Sequence, residues 1–588
     1  MLPRDKAKFP KMLGTVRKLV RREHTAGVVV SAIADAFAQA RYPLLPHMSL
    51  TKARLAEIAE VTAFAEWLSD MDQKDACFWL GSAYSHLVPA NTRQKRAMFF
   101  TPPILGDRML ADLDAAGLDW ATAKIIDVAC GGAAFLAPAA LRVAEVLTQR
   151  GMPAERVFLH IEQHVVGIEI DPFLARLSQF FLGVTLYPWV ERARRSPTIN
   201  VAVGNALTAM PPLAGMFDAV ICNPPYRKLS RREVDALPKE LRELCYMQPN
   251  LYGMFMALSL SLLSKGGMAG LLTPTSFLSG QSFVLLRKHL AHARHLAHID
   301  LVEEKLGIFL GVEQDTAISI YTPKVPTPCA TNVYVGTAAA GWRATGSVVP
   351  DSSGAPWILP RSDEDGLLLA VANGRTIADY GYGAVVGDVV LHRDRRRRFR
   401  SFEAAQKAKA GKPVPMLRAS EIRTSGKLEF ERTKRPDCFI DVGSKPRGLV
   451  TKPAIALQRV SSHDQRRRLI CAPVPRTMQK KYGGVLGENH VNFLVAKNGS
   501  AVPLQLTARI LSSEPVDRLF RCRSGATNVS AYELGQLPLP DPAVVRSELD
   551  RGADIDSAVR AGFGITSKTP KSRKDGKPRQ TRRAAEEP

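Results

Sequence analysis

Between residues 98 and about 321, short apolar runs rich in β-branched residues alternate with longer stretches of helical period. That alternation predicts a mostly parallel, doubly wound sheet with helices on both faces. Strands are predicted at 125–128, 165–170, 199–203, 217–222 and 268–273. A last pair, 299–302 and 316–321, is separated by too few residues for a crossover helix and is expected to be an antiparallel hairpin. Ahead of this region Leu55, Ile58, Val61, Phe64 and Leu68 recur at spacings of three and four, so residues 1–95 read as helical. Behind it, three prolines within 323–328 mark a boundary, after which periodicity weakens and Gly, Pro and Arg become frequent. The organisation expected is a helical region (1–95), an α/β domain (96–322), a mixed second domain (323–545) and a basic tail (546–588), disordered from 565 for want of large apolar groups.

Composition narrows the class. At 588 residues and 46% apolar side chains the chain can bury several cores, which excludes wholesale disorder. The eight cysteines are scattered without a CxxC pair, arguing against a disulfide framework or zinc ribbon and for a reducing cytoplasm. Residues 25–40 are apolar but follow a long basic leader and contain Asp35, so an ordinary helix is expected rather than a signal peptide. Residues 251–264 are too few to span a bilayer, and no membrane association is expected. A formal charge of +24 points to a polyanion, most often nucleic acid, although solubility or acidic lipid would give the same excess.

The chemistry begins at the first strand. Asp127, Val128, Ala129, Cys130, Gly131 and Gly132 form an acidic strand end and a glycine turn before a helix, which lets a ligand approach backbone but serves equally as a plain connection. The second strand ends in Glu169 and Asp171, where such folds place a carboxylate on ribose hydroxyls. No phosphate-binding GxGxxG is present, which favours an adenosine ligand without phosphates, such as S-adenosylmethionine. The strongest signal is Asn223-Pro224-Pro225-Tyr226, directly after the fourth strand. Two prolines fix φ and remove two backbone donors, leaving carbonyl oxygens and the Asn223 amide to face a substrate. If the Asn223 oxygen and the Pro224 carbonyl each accept a hydrogen from an exocyclic adenine amine, its lone pair is freed to attack. Tyr226 offers a flat face to an extruded base.

These motifs, in this order, resemble the gamma-type, TaqI-like amino-methyltransferases of DNA from restriction-modification systems, from about Arg96 to Pro540. The resemblance implies a class I methyltransferase sheet ending in an antiparallel hairpin, with an N-terminal helical region and a mixed C-terminal target-recognition domain. Phe99-Phe100-Thr101-Pro102-Pro103 is similar to motif X, which implies that Thr101 helps hold the methionine end of the cofactor. Asp127, Ala129, Cys130 and Gly131 fall in motif I, Glu169 and Asp171 in motif II, Asn205 in motif III, and Asn223, Pro224, Pro225 and Tyr226 in motif IV. Phe309 sits where the family places a second aromatic against the flipped base, and 457–470, 487–494 and 521–540 resemble its target-recognition region. The activity implied is site-specific N6-adenine methylation of double-stranded DNA from S-adenosylmethionine, by a monomer, with any restriction endonuclease on a separate chain.

Two departures stand out: Ala133 replaces a usual glycine in the cofactor turn, and Asn205 a usual aspartate. A crowding methyl at Ala133 motivates one rival, a degenerate DNA-binding protein. Methylation of RNA or of a protein glutamine is another, disfavoured by the long region after Tyr321. His289, His292, His295 and His298 recur every third residue, but on a helix they step round the axis by roughly 60° and cannot converge on one metal. A solvated helix face, and no metal site, is expected. The clusters Arg395, Arg396, Arg397, Arg398 and Arg466, Arg467, Arg468 are expected to meet DNA phosphates.

Overall fold

The structure, a computed structural model, describes residues 3–22, 25–48, 58–96, 98–303, 315–325, 329–337, 341–371, 374–430, 435–443, 447–460, 465–497, 502–523 and 528–565. Its centre is a nine-stranded sheet in the order β3-β2-β1-β4-β5-β7-β6-β8-β9. β1 (Ile125–Asp127), β2 (Val165–Glu169), β3 (Asn200–Val203), β4 (Phe217–Cys222) and β5 (Leu263–Pro274) are mutually parallel. β6 (His295–Val302) and β7 (Thr316–Thr322) form the expected antiparallel pair, with β7 against β5. This is the class I methyltransferase arrangement. The order reverses between β1 and β4, and the crevice at their carboxyl ends is where such sheets take ligands.

Two strands extend the sheet past the predicted domain boundary. β8 (Thr331–Thr337) runs parallel to β6, and β9 (Gly341–Val348) returns antiparallel to β8, so the boundary expected at 322/323 falls inside the sheet. Val333 and Val335 of β8 are buried in the same core as Ile299 and Leu301 of β6, which explains the continuation.

The N-terminal helices Pro3–Arg22, Ala26–Arg41, Ala59–Ser69 and Gln73–Leu87 do not form a separate unit. Phe9, Phe37 and Trp79 belong to one continuous core with Leu136, Phe181 and Ile320 of the α/β domain. The helix at 26–41 starts where Thr25 accepts a hydrogen bond from the Val28 N–H (3.3 Å). Among the described residues no helix is long and apolar enough to cross a membrane.

The C-terminal domain carries two four-stranded sheets, β10-β17-β14-β15 and β11-β13-β12-β16, with β10 at Tyr382–Val386, β11 at Arg398–Phe399, β12 at Pro413–Leu417, β13 at Phe439–Asp441, β14 at Ala454–Gln458, β15 at Cys471–Pro473, β16 at Leu486–Gly487 and β17 at Val491–Ala496. The first part of the tail expected from 546 is folded. Helices Pro542–Asp550 and Ile555–Gly562 bury Val545, Ala558, Val559 and Phe563 in the domain's core, so folded chain continues to residue 565. The remaining part of that expectation, 566–588, lies outside the described residues.

The histidine series is broken by a change of secondary structure. His289 and His292 lie on the helix Val284–Ala293, whereas His295 and His298 lie on β6. Arg294 ends the helix by turning its guanidinium onto the carbonyls of Leu263, Ser264 and Lys265. His298 then meets Asp112 (3.2 Å) and Asp300 (3.9 Å), but Arg108 bridges the same two carboxylates, at 3.2 and 2.7 Å. The cation in that cluster is already a side chain.

Candidate active site

At the carboxyl edge of β1 to β4 the strand tips enclose a cavity of about 240 Å³. Thr101, Asp127, Ala129, Cys130, Gly131, Glu169, Asp171, Asn205, Asn223 and Pro225 all line it, so the fold brings residues from five separated segments to one place.

The floor is the turn after β1. Gly131 takes φ +53°, which suits glycine, and its N–H donates to Glu169 (3.0 Å) while its carbonyl accepts from Ser178 (2.5 Å). Glu169 spends its other oxygen on the Asp171 N–H (2.8 Å). The carboxylate at the tip of β2 therefore shapes the turn as well as facing the cavity. Burial raises its pKa. Asp127, 1% exposed, accepts from the Ala129 N–H (3.1 Å) and is pushed by burial, with the negative Glu169 nearby, to about 7.

That shift gives a pH prediction. A folded-state value near 7 against an ordinary 3.8 means that the folded protein holds the proton more tightly than the unfolded chain. The contribution to stability is complete below 3.8 and is lost as pH rises through about 7. Asp127→Asn, which keeps the acceptor for Ala129, should flatten the stability profile over that window and raise stability above it by on the order of a few kcal/mol. Denaturant midpoints measured across pH for both proteins check this; parallel profiles would contradict the buried-charge assignment.

Ala133 adopts φ +56°, the conformation its usual glycine would take freely. Ala133 is 1% exposed and lines a neighbouring cavity, with Phe100, Ala137 and Phe181, but not the cavity at the strand tips. It therefore does not crowd the ligand space. Relief of the left-handed backbone, ~1–2 kcal/mol, is offset by the freer unfolded glycine, ~0.4–1, and by loss of a buried methyl, ~0.8. Ala133→Gly is thus expected to leave cofactor affinity within about twofold; a tenfold change in calorimetry would show that the methyl reaches the ligand.

Several residues play parts that sequence did not reveal. Asp171 caps the helix Pro172–Thr185 through the N–H groups of Phe173 (2.9 Å) and Leu174 (3.1 Å), pairs with Arg96 and meets the Tyr84 hydroxyl (3.3 Å), so its charge ties the helical region to the site. Asn205 caps the short helix Ala206–Ala209 through the Leu207 N–H (3.2 Å), leaving its NH₂ to donate. Phe100 is wedged between Gly81 and Gly132: a Cβ at either would stand 2.2 or 2.3 Å from its ring. The only sequence hint was a glycine inside an apolar helix.

Beside the cavity's mouth stands the Asn223 turn. The Asn223 Nδ2 donates to the Thr101 hydroxyl (2.7 Å), and its Oδ1 accepts from the Tyr226 hydroxyl (2.5 Å), which also reaches the Leu272 carbonyl (3.1 Å). Tyr226 lies edge-on to Tyr252, with ring centroids 6.2 Å apart. Pro224 is buried behind the turn. Phe309 lies outside the described residues.

The arginine clusters divide. Arg395, Arg397 and Arg466 are exposed and Arg467 is half-buried. Arg396 is turned onto Asp394 (2.5 Å) and Asp388 (3.3 Å), and Arg398 is half-buried with its guanidinium on the Leu391 carbonyl (3.4 Å). Arg468 is fully buried, stacked on Phe520 with 5.5 Å between guanidinium and ring, and so cannot meet a phosphate. Of the seven only Arg398 lies on a strand; the others sit on turns and irregular backbone, whose inward or outward direction a run of identical residues does not reveal.

Comparison with known proteins finds restriction-modification enzymes. Residues 163–309 match the model of the Eco57I restriction-modification methylase family. The type II methyltransferase M.PstI of Providencia stuartii is 24% identical over 402 residues, 65% of this chain and 74% of the relative. The type II methyltransferase M.BsuBI of Bacillus subtilis is 25% identical over 356 residues, 56% of this chain and 66% of the relative. The type IIL restriction-modification enzyme MmeI, solved in complex with DNA, shares the fold at a TM-score of 0.50 and 12% identity, over 94% of this chain and 90% of that one. With the motifs in gamma-type order around one cavity, the chain is similar to restriction-modification methylases.

Proposed function

We propose that the chain is a site-specific DNA methyltransferase that moves a methyl group from S-adenosylmethionine to the exocyclic N6 amine of an adenine turned out of the duplex. The observation that carries this reading is the Asn223 amide, held at Nδ2 by Thr101 with its oxygen already accepting a hydroxyl hydrogen. An oxygen so oriented can accept from an amine in the same way.

The residues present fit the cofactor. The cavity offers a glycine turn for close approach, three buried carboxylates, Asp127, Glu169 and Asp171, suited to ribose hydroxyls and cationic groups, and the apolar Leu229, Leu237 and Phe255 for a purine ring. When bound, S-adenosylmethionine supplies an electrophilic methyl. This chain's own part is to orient the nucleophile. The Asn223 oxygen and the Pro224 carbonyl each hold one amine hydrogen, drawing nitrogen towards a tetrahedral form whose lone pair can attack. Tyr226 must release Asn223 as the base arrives, and its ring then stacks on the base. One amine proton is lost to solvent after transfer. Phe309 would stack on the opposite face.

In this reading the C-terminal domain reads the duplex, a monomer acts in a reducing cytoplasm, and any restriction endonuclease is a separate chain. The exposed Arg395, Arg397 and Arg466 would meet phosphates. Neutralising all three is expected to flatten the dependence of log affinity on log salt by about 0.9 per lost contact. An unchanged slope on cognate duplex would return these residues to ordinary surface. The catalytic reading is tested by incubating DNA with labelled S-adenosylmethionine and digesting to nucleosides: label in N6-methyl-2′-deoxyadenosine supports it, and label in a methylated deoxycytidine overturns it.

A further inference from the structure

Immediately after the catalytic turn the chain leaves the sheet edge and returns to it as a closed excursion. Lys228 and Asn250 pair at its neck; the Leu229 N–H donates to the Pro249 carbonyl (3.0 Å) and the Leu251 N–H to the Arg227 carbonyl (2.8 Å). Inside the excursion, Leu237 and Leu241 are buried in the core of the α/β domain, so its body is anchored.

The tip behaves differently. Tyr246 is 43% exposed and Met247 61%, and Met247 holds φ +51°, a conformation that side chains other than glycine rarely take. Lys228 Nζ fixes the tip by donating to Gln248 Oε1 (2.6 Å). Two large apolar side chains stand side by side in water on strained backbone, a combination that proteins keep where a partner will cover it.

Position and charge name the partner. Met247 is three residues from the neck, at most about 11 Å along the chain, and the neck is two residues from Tyr226. Cations outnumber anions six to four over 227–250, and Lys228, Arg231, Arg232 and Arg242 are exposed. A base rotated into the Asn223 site stays tethered by its sugar, so the gap it leaves is one nucleotide from the site's mouth. Apolar side chains, methionine among them, are suited to enter a base stack.

We propose that Tyr246 and Met247 form a wedge that enters the duplex beside the target and fills the space left by the extruded base. This rests on the adenine-methylation reading above. The side chains act on the paired duplex and not on the chemistry, so their loss should matter only while the target is paired.

The test uses the full chain and a duplex carrying a site that the wild type methylates, made with the target adenine opposite thymine or opposite an abasic position. The Tyr246→Ala, Met247→Ala double variant should methylate the paired duplex at least about tenfold more slowly, and give a smaller fluorescence rise with 2-aminopurine at the target. Cofactor affinity should stay the same. Opposite the abasic position it should recover to within about threefold of wild type, and Met247→Leu should act as wild type on both. Equal rates for wild type and double variant on the paired duplex would overturn the wedge alone. Failure of the abasic duplex to rescue would also overturn it, in favour of a role in folding or general binding. A wild type that methylates no adenine in any duplex would overturn the underlying reading and the wedge together.

Discussion

Asn223→Ala is expected to lower the rate of methyl transfer by at least about a hundredfold while leaving cofactor affinity almost unchanged. The side chain supplies an acceptor needed when charge develops on the amine, and loss of one such oriented group costs about 10²–10³ in turnover. Its neighbours sharpen the expectation. Thr101 holds Nδ2 and Tyr226 caps Oδ1, so Tyr226→Phe, which keeps the ring and removes the cap, should retain activity within about tenfold. Tyr226→Ala should lose stacking worth about 1–3 kcal/mol. Single-turnover rates with calorimetric cofactor binding separate these effects. A large loss of cofactor affinity in Asn223→Ala would move the residue from the nucleophile to the ligand.

The second large effect is on stability and comes from a residue that sequence placed on DNA. Arg468 is fully buried, its pKa lowered to about 10 by burial, and Asp315 and Glu533 are the anions that offset this. Arg468→Ala should leave buried charge without its counterpart and cost about 3–5 kcal/mol. Arg466→Ala, two residues away and exposed, should change stability by no more than about 0.5 kcal/mol. Urea unfolding of the two variants distinguishes them; similar midpoints would mean that Arg468 is not a core cation.

The contrast between Arg466 and Arg468 shows where sequence reading runs out. The strands of the methyltransferase sheet were legible because each is a short apolar run that must be buried, and β4 ending at Cys222 placed the Asn223 turn without reference to tertiary structure. The cavity-lining carboxylates were legible because a charged residue at the end of a buried strand has few reasons to be there. Their second duties were not. Glu169 and Asp171 bind backbone N–H groups on turns whose positions depend on packing, and Arg96 reaches Asp171 from a helix far away in sequence. β8 and β9 escaped notice because the prolines before them read as a boundary, whereas the hydrophobic face of β6 still needed covering. In the C-terminal domain the sheet strands are short and most of the clustered arginines lie off them, so whether one points in or out depends on tertiary contacts that pattern does not show.

The central claim is that Asn223 directs a methyl group onto adenine in DNA. It is tested most directly by expressing wild type and Asn223→Ala in cells lacking adenine methylation and mapping modified bases across the genome. N6-methyladenine is expected at nearly every copy of one short sequence with the wild type, and none above background with the variant, although both bind S-adenosylmethionine. Methylation of cytosine, or equal adenine methylation by the two proteins, would contradict it.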